Sequence, residues 1–425
     1  MSNVARVVSI LIVTILLGRD LGPSILGQFA VLLAAVAILQ SVSIGGLSGA
    51  AVHKLILGGS RRRAATETIV AARLILIPPA FAIGFALVLT LMDTQQSNMG
   101  AIALFFVGYA LGAFDVPEIT WMSRGGFRTI ATRRLILIVC ISIPKLAAAA
   151  SGNYELVLLL QGAEAALWQG ILLFRSGLSS SLLLGGVKSL GAGLSQLNEL
   201  KNLWLSSIAA VIATRADVFI VSALLGSAVV GQYASASRFV EAATILAVAV
   251  TTVLFNDLVK STSDDEEYAT QCARAARAVF ALSLVVMTGL VTVGPDAVLA
   301  LYGPEFRLSS ELLPVYSVTI IFIFQRQLIS KILIIEKAYG YSLSSNVCGL
   351  AINVALNLLL VPILGVWGAV VAAIAGYALA IVCAFLVTRR GRDLIVISVG
   401  SIGLPKATVR HSIERLKVQR EVRVE

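Results

Sequence analysis

The chain has 425 residues, 58% of them hydrophobic and only 13% charged, with a mean hydropathy of +0.93. That excludes a soluble domain, and apolar runs of about 20 residues, each long enough to cross a ~30 Å hydrocarbon layer as a helix, exclude the short alternating segments of a barrel. The formal charge of +10 is scattered over many short connectors, which excludes a nucleic-acid surface.

The expected fold is all-α and polytopic. The first span, 4–17, looks like a secretory leader, with Arg6 ahead of Val7–Leu17, but Gly18-Arg19-Asp20 follows instead of a cleavage site. It is therefore kept as a membrane helix. Further spans follow at 27–51, 69–92, 100–121, 132–150 and 154–174, which makes 1–178 a six-helix bundle. A connector at 179–202, rich in Gly, Ser and Leu, leads to spans at 203–225, 229–255, 275–295, 310–335, 340–363 and 366–388. The second bundle thus covers 203–388, and a basic tail covers 389–425. The expectation is about twelve transmembrane helices in two parallel six-helix bundles around a central cavity.

Lys and Arg set the orientation. Connectors after odd-numbered spans hold almost none, only Arg19 and Arg307. Those after even-numbered spans hold Lys54 with Arg61–Arg63, then Arg175, Lys188 and Lys201, then Lys331 and Lys337 around the tenth span. Arg124, Arg128, Arg133 and Arg134 cluster between spans four and five, and the tail carries nine more. Both termini and the 179–202 linker are therefore expected in the cytoplasm, and the protein in the inner membrane.

A repeat explains the two bundles. LGPSILGQFA, Leu21 to Ala30, returns as LGSAVVGQYA, Leu225 to Ala234, with five of ten residues identical and a shift of 204 positions. An even number of spans per half places both copies at the outer turn between a first and a second helix. Gly22 and Gly226 suit a helix end, and Gly27 and Gly231 a tight restart. Parallel repeats of this kind are a transporter architecture.

LGRDLGPSILGQFAVLL resembles the opening of Wzx-type polysaccharide flippases of the multidrug/oligosaccharidyl-lipid/polysaccharide exporter superfamily. ADVFIVSALLGSAVVGQYASASRFVEAATIL resembles their seventh and eighth helices, LALYGPEFRLSSELLPV the ninth-to-tenth loop, and NVALNLLLVPILGVWGAVVAAIAGY the last two helices. Lipid II flippases of the superfamily usually carry two further helices, for which this chain has no room. The resemblance implies translocation of an undecaprenyl-diphosphate-linked oligosaccharide, with a polysaccharide polymerase and export machinery as further partners. A multidrug/cation antiporter is the alternative. A glycan polymerase or ligase ranks lower, since no outer connector is long.

Eight ionisable residues lie deep in the spans: Asp115, Lys145, Glu164, Arg215, Asp217, Arg238, Glu241 and Arg326. Facing lipid, each costs roughly 2.5–3.5 kcal/mol, and together more than the ~5–15 kcal/mol stability of a typical domain. They must face the interior or a wet cavity. Arg215, Arg238, Arg326 and Lys145 are the candidates for substrate contact; Asp217, Glu241, Asp115 and Glu164 are candidates for ion coupling or ion pairing. Lys145 and Glu164 suit a pair across the fifth and sixth spans. Arg215 and Asp217, roughly 13–16 Å inward of Gly226 at 1.5 Å per residue, share a depth with Arg238 and Glu241. Arg326 has no obvious partner. Arg73, Glu118 and Asp257 are placed near the inner surface and given little weight. Tyr109, Trp168, Trp204 and Tyr233 suit sugar stacking or interfacial anchoring. No cofactor is expected: His53 and His411 are far apart, and Gly22-x-x-x-x-Gly27 continues with Gln28 rather than the Lys-Ser/Thr of a phosphate loop.

Overall fold

The computed structural model describes residues 2–57, 62–92, 98–176, 180–336 and 338–386, with scattered positions between 392 and 414. Most of the 389–425 tail lies outside the described residues. Every element among them is helical. The chain is an all-α polytopic membrane protein, and each of the twelve expected spans falls on a helix or on a bent pair of helices.

The first helix, α1 (Ser2–Ile44), holds two spans joined at Gly22. There φ is 78° and ψ 178°, a region only glycine enters without strain. Pro23 opens the next segment, where a missing N–H costs nothing. Then come α2 (Leu47–Leu57) and α3 (Arg62–Leu91). The fourth span is broken into α4 (Met99–Gly112) and α5 (Val116–Met122). The fifth and sixth are α6 (Phe127–Ala150) and α7 (Tyr154–Ser176). The 179–202 connector is not a loose linker. It folds as α8 (Ser180–Lys188) and α9 (Leu190–Glu199), which lie against α3 with Gly186 on Val70 and Gly193 on Ala71.

The seventh span is a pair, α10 (Lys201–Ala213) and α11 (Ala216–Leu225), bent by 41°. Next are α12 (Ser227–Lys260) and α13 (Asp265–Thr292). After α14 (Gly294–Tyr302), the tenth span bends by 51° between α15 (Arg307–Tyr316), preceded by the short turn Pro304–Phe306, and α16 (Thr319–Ile335). The chain ends its described spans with α17 (Tyr339–Leu364) and α18 (Val366–Leu386).

Two compact units result, Met1–Gly231 and Gln232–Glu425. The first extends past the 179–202 connector because α10 and α11 run along α1. Trp204 Nε1 donates to the Val42 carbonyl at 2.8 Å, and Gly45 and Gly46 abut Ser207 and Leu203 beside it. Near the turns, the two copies of the repeat meet. Gly226 has φ 83° and ψ 173°, almost the values of Gly22. Gly27 and Gly231 do not restart a helix, as the sequence suggested. The helices restart straight after Gly22 and Gly226, and Gly27 and Gly231 sit a turn further on, where the two backbones touch. Close backbone approach at small residues is how membrane helices gain packing without a hydrophobic driving force between them.

Candidate functional site

In the first unit the polar residues form a column on one face of α7. Gln161, Glu164 and Trp168 follow one another at helical spacing, so they stack along it. The column exists because α4 crosses α7 glycine on glycine: a Cβ on Gly108 would stand 2.3 Å from the Gly162 carbonyl oxygen. That contact places the Tyr109 hydroxyl 2.8 Å from Gln161 Nε2, which donates to it. Lys145, on α6, is wholly buried and donates to Gln161 Oε1 at 2.8 Å and to Glu164 Oε2 at 2.5 Å. The cross-helix pair expected from sequence is thus formed. Arg6, 31% exposed, stands 3.8 Å from the other oxygen of Glu164.

One turn further along α7, Glu118 accepts from Arg134 at 2.9 Å, from Trp168 Nε1 at 2.8 Å and from Gln169 at 3.2 Å. The Arg134 guanidinium lies over the Trp168 ring at 5.5 Å. Three cations, Arg6, Lys145 and Arg134, therefore face two carboxylates, Glu118 and Glu164. The column carries a positive surplus that the even count of deep charges in the sequence did not show.

A second cluster sits at the break between α4 and α5. Arg73 is 1% exposed and grips Asp115 through both arms of its fork, at 2.7 and 3.2 Å. It also donates to the Ser43 carbonyl and to the Ser48 hydroxyl, which in turn donates to Asp115. Neither Arg73 nor Glu118 reaches solvent at the inner surface, contrary to the sequence reading. Both are buried and fully engaged. The sequence signal for Arg73 was available: Ile69–Ala72 and Leu74–Ile77 flank it with apolar residues on both sides. For Glu118 the partners lie 16 to 51 residues away, beyond any local pattern.

Arg215 stands immediately before α11 and Asp217 lies in its first turn, so both occupy the break of the bent seventh span. Asp217 is buried and accepts from the Val218 N–H at 2.8 Å. In the second unit, Arg238 pairs with Glu241 on its own helix at 2.5 Å, the side chains 14% and 36% exposed. Arg326 does have a partner: its fork donates to the Asn346 side-chain oxygen. That partner is an uncharged amide, so the guanidinium charge is not neutralised by it. Tyr109, Trp168 and Tyr233 are core residues and Trp204 is half-buried, each with hydroxyl or indole contacts; Tyr233 meets Tyr316 edge to face at 5.5 Å. Among the described residues no His/Cys/Asp/Glu group is arranged to hold a metal.

Residues 16–311 match the family model described as polysaccharide biosynthesis protein. The chain belongs to this family. Its fold is that of the exporter superfamily named by its resemblance. A lipid II flippase in an inward closed conformation superposes with a TM-score of 0.71 at 14% identity, over 100% of this chain and 99% of that one. An inward-facing multidrug resistance transporter of the superfamily gives 0.63 at 16%, over 95% and 96%. A eukaryotic transporter of the same multidrug group gives 0.54 at 13%, over 98% and 96%. These identities establish the fold alone. No curated protein matches the sequence. The lipid II flippase is covered almost end to end, so the two further helices expected of that branch do not set this chain apart from it.

Proposed function

We propose that this family member moves an undecaprenyl-diphosphate-linked oligosaccharide repeat unit from the inner to the outer leaflet of the cytoplasmic membrane, by alternating access between two six-helix halves, 1–178 and 203–388, with both termini in the cytoplasm. It works as a transporter, not an enzyme, and supplies surface polysaccharide assembly. The observation that carries the reading is the cationic surplus in the buried column of Arg6, Lys145 and Arg134. A diphosphate passing through a low-dielectric bundle needs positive charge to replace its water, and a drug cation needs the opposite. Arg215, Arg238 and Arg326 join Lys145 as proposed phosphate contacts, and Arg6 is added to them. Asp217, Glu241 and Glu164 are assigned to balancing those cations or carrying a coupling ion. Asp115, gripped by Arg73, is assigned to holding the bundle together.

Expression in a bacterium lacking its own polysaccharide flippase tests the reading. Restored surface glycan supports it. Drug resistance with no change in surface glycan would transfer the assignment to the multidrug/cation antiporters.

A further inference from the structure

Away from the charged column, the first unit holds a polar pocket of roughly 460 Å³, within the ~300–1,000 Å³ of small-molecule sites. Its walls are the first turns of three helices: Ile25 and Gln28 after the α1 turn, Asn98 to Ile102 at the start of α4, and Ser151 to Leu158 around the start of α7. All three open even-numbered spans, so they lie on one face, the one that the Lys/Arg pattern assigns to the outside.

The chemistry of the wall is specific. Asn98 spends its side-chain oxygen capping α4, accepting from Gly100 and Ala101 at 3.1 and 3.2 Å. Asn153 spends its own on the Leu156 N–H at 3.0 Å. What both leave for a ligand is the amide NH₂. The Gln28 side chain makes no hydrogen bond among the described residues, and the Tyr154 hydroxyl is buried without a partner. Glu155 adds a carboxylate acceptor. Amide donors, a phenol, a carboxylate and an aromatic ring in one cleft match the alternating hydroxyls and apolar ring faces of a sugar, and offer no cation for a phosphate.

The repeat supplies an independent comparison. Gln232 is the counterpart of Gln28, and in the second unit it is consumed by the chain itself. It donates to the Glu305 carbonyl at 2.7 Å, and its oxygen accepts from the Ser309 N–H and hydroxyl at 3.0 and 2.7 Å. The same glutamine that locks a loop in one half is unengaged beside a pocket in the other.

We propose that this pocket is a saccharide subsite on the outer face, which takes an uncharged sugar of the oligosaccharide as it leaves the membrane. The inference rests on the lipid-linked oligosaccharide reading. Its test uses the purified full-length protein in nanodiscs with two soluble probes, maltotetraose and chitotetraose, observed by saturation-transfer NMR. At least one probe should receive saturation from the protein, and Tyr154→Phe with Gln28→Leu should weaken that signal at least fivefold at an unchanged melting temperature. A cysteine at exposed Ser151, in a background lacking the native cysteines, should react more slowly with a bulky maleimide when that probe is present. Transfer to neither probe, or equal transfer in parent and variant, overturns the subsite. Glycan export is measured in parallel. A protein that binds sugar here but exports no lipid-linked glycan removes the functional reading and leaves the pocket standing. One that exports while the pocket fails these tests removes only the pocket.

Discussion

Gly27 and Gly231 occupy reciprocal positions. A Cβ on Gly27 would stand 1.8 Å from the Ser227 carbonyl oxygen, and one on Gly231 1.9 Å from that of Pro23. Each glycine lies five residues after a turn glycine, and each presses on the residue that follows the other's turn glycine. A hydrogen bond of 3.0 Å between Ser24 and Ser227 completes the contact. The repeated decapeptide is thus more than a relic of duplication: the two copies are shaped to pack on each other.

Alanine at Gly27 or Gly231 is therefore expected to lower folded yield and abolish export. The blocked atoms are backbone, which cannot swing aside, and overpacking costs about 1–3 kcal/mol or more. Gly289 is the control. Its missing side chain faces open space inside α13, so Gly289→Ala should be neutral or stabilising by up to ~1 kcal/mol. Yield, melting temperature and surface glycan read the outcome, and equal tolerance at all three positions refutes the contact.

Removing Lys145 alone, as Lys145→Met, leaves the buried Glu164 with only the part-exposed Arg6 at 3.8 Å and should destabilise by up to about 3–5 kcal/mol. The double variant with Glu164→Leu removes both charges of this pair, leaves only the part-exposed Arg6 without its carboxylate, and should recover most of the folded protein. Export separates the roles. If the pair is only structural, the double variant exports like the parent; if Lys145 meets the diphosphate, stability returns and export does not.

Arg73→Lys keeps the charge beside Asp115 but loses the fork that makes two bonds to the carboxylate and one to Ser43. Bonds to charged groups contribute about 1.5–3 kcal/mol each. A fall in melting temperature with export unchanged per folded molecule is expected, and a loss of export at full stability would move Arg73 into the substrate path.

Spans, connectors and the repeat were readable because hydropathy and a local decapeptide carry them. The charged pairs were readable where the partners lie on consecutive spans, as with Lys145 and Glu164, or on one helix turn, as with Arg238 and Glu241. What stayed hidden depends on crossing geometry. Nothing near Glu118 in the sequence announces Trp168 or Arg134, and the roles of Gly27 and Gly231 appear only when two distant backbones meet. Burial was also misjudged for Arg73: it is the twelfth residue of the 30-residue α3 and is packed inside the first unit rather than solvated.

The orientation is tested by single cysteines in a background lacking the native ones. At exposed Ala228 and Glu305 they should react with an impermeant maleimide added to intact cells, and at Arg63, Thr129 and Thr262 only after permeabilisation. Outside labelling of Arg63→Cys would invert the topology and, with it, the face assigned to the saccharide pocket.

Arg326 gives the sharpest test of a phosphate contact. Its partner Asn346 is neutral, so pairing with that residue does not explain why a guanidinium is kept in α16, where facing lipid would cost roughly 2.5–3.5 kcal/mol. Arginine suits a phosphate because its fork can make two parallel hydrogen bonds and stays charged. Arg326→Gln removes the charge while retaining an amide donor for Asn346, so the fold should persist and export should drop. Loss of one charged hydrogen bond, about 1.5–3 kcal/mol, corresponds to a fall of roughly ten- to a hundredfold. Arg326→Lys should lie between the two if a point charge suffices, and near Arg326→Gln if two-pronged geometry matters. Surface glycan in the flippase-deficient strain, normalised to membrane protein level, is the readout. Arg326→Gln exporting like the parent would remove Arg326 from the substrate path and leave it as a helix-to-helix tether to Asn346.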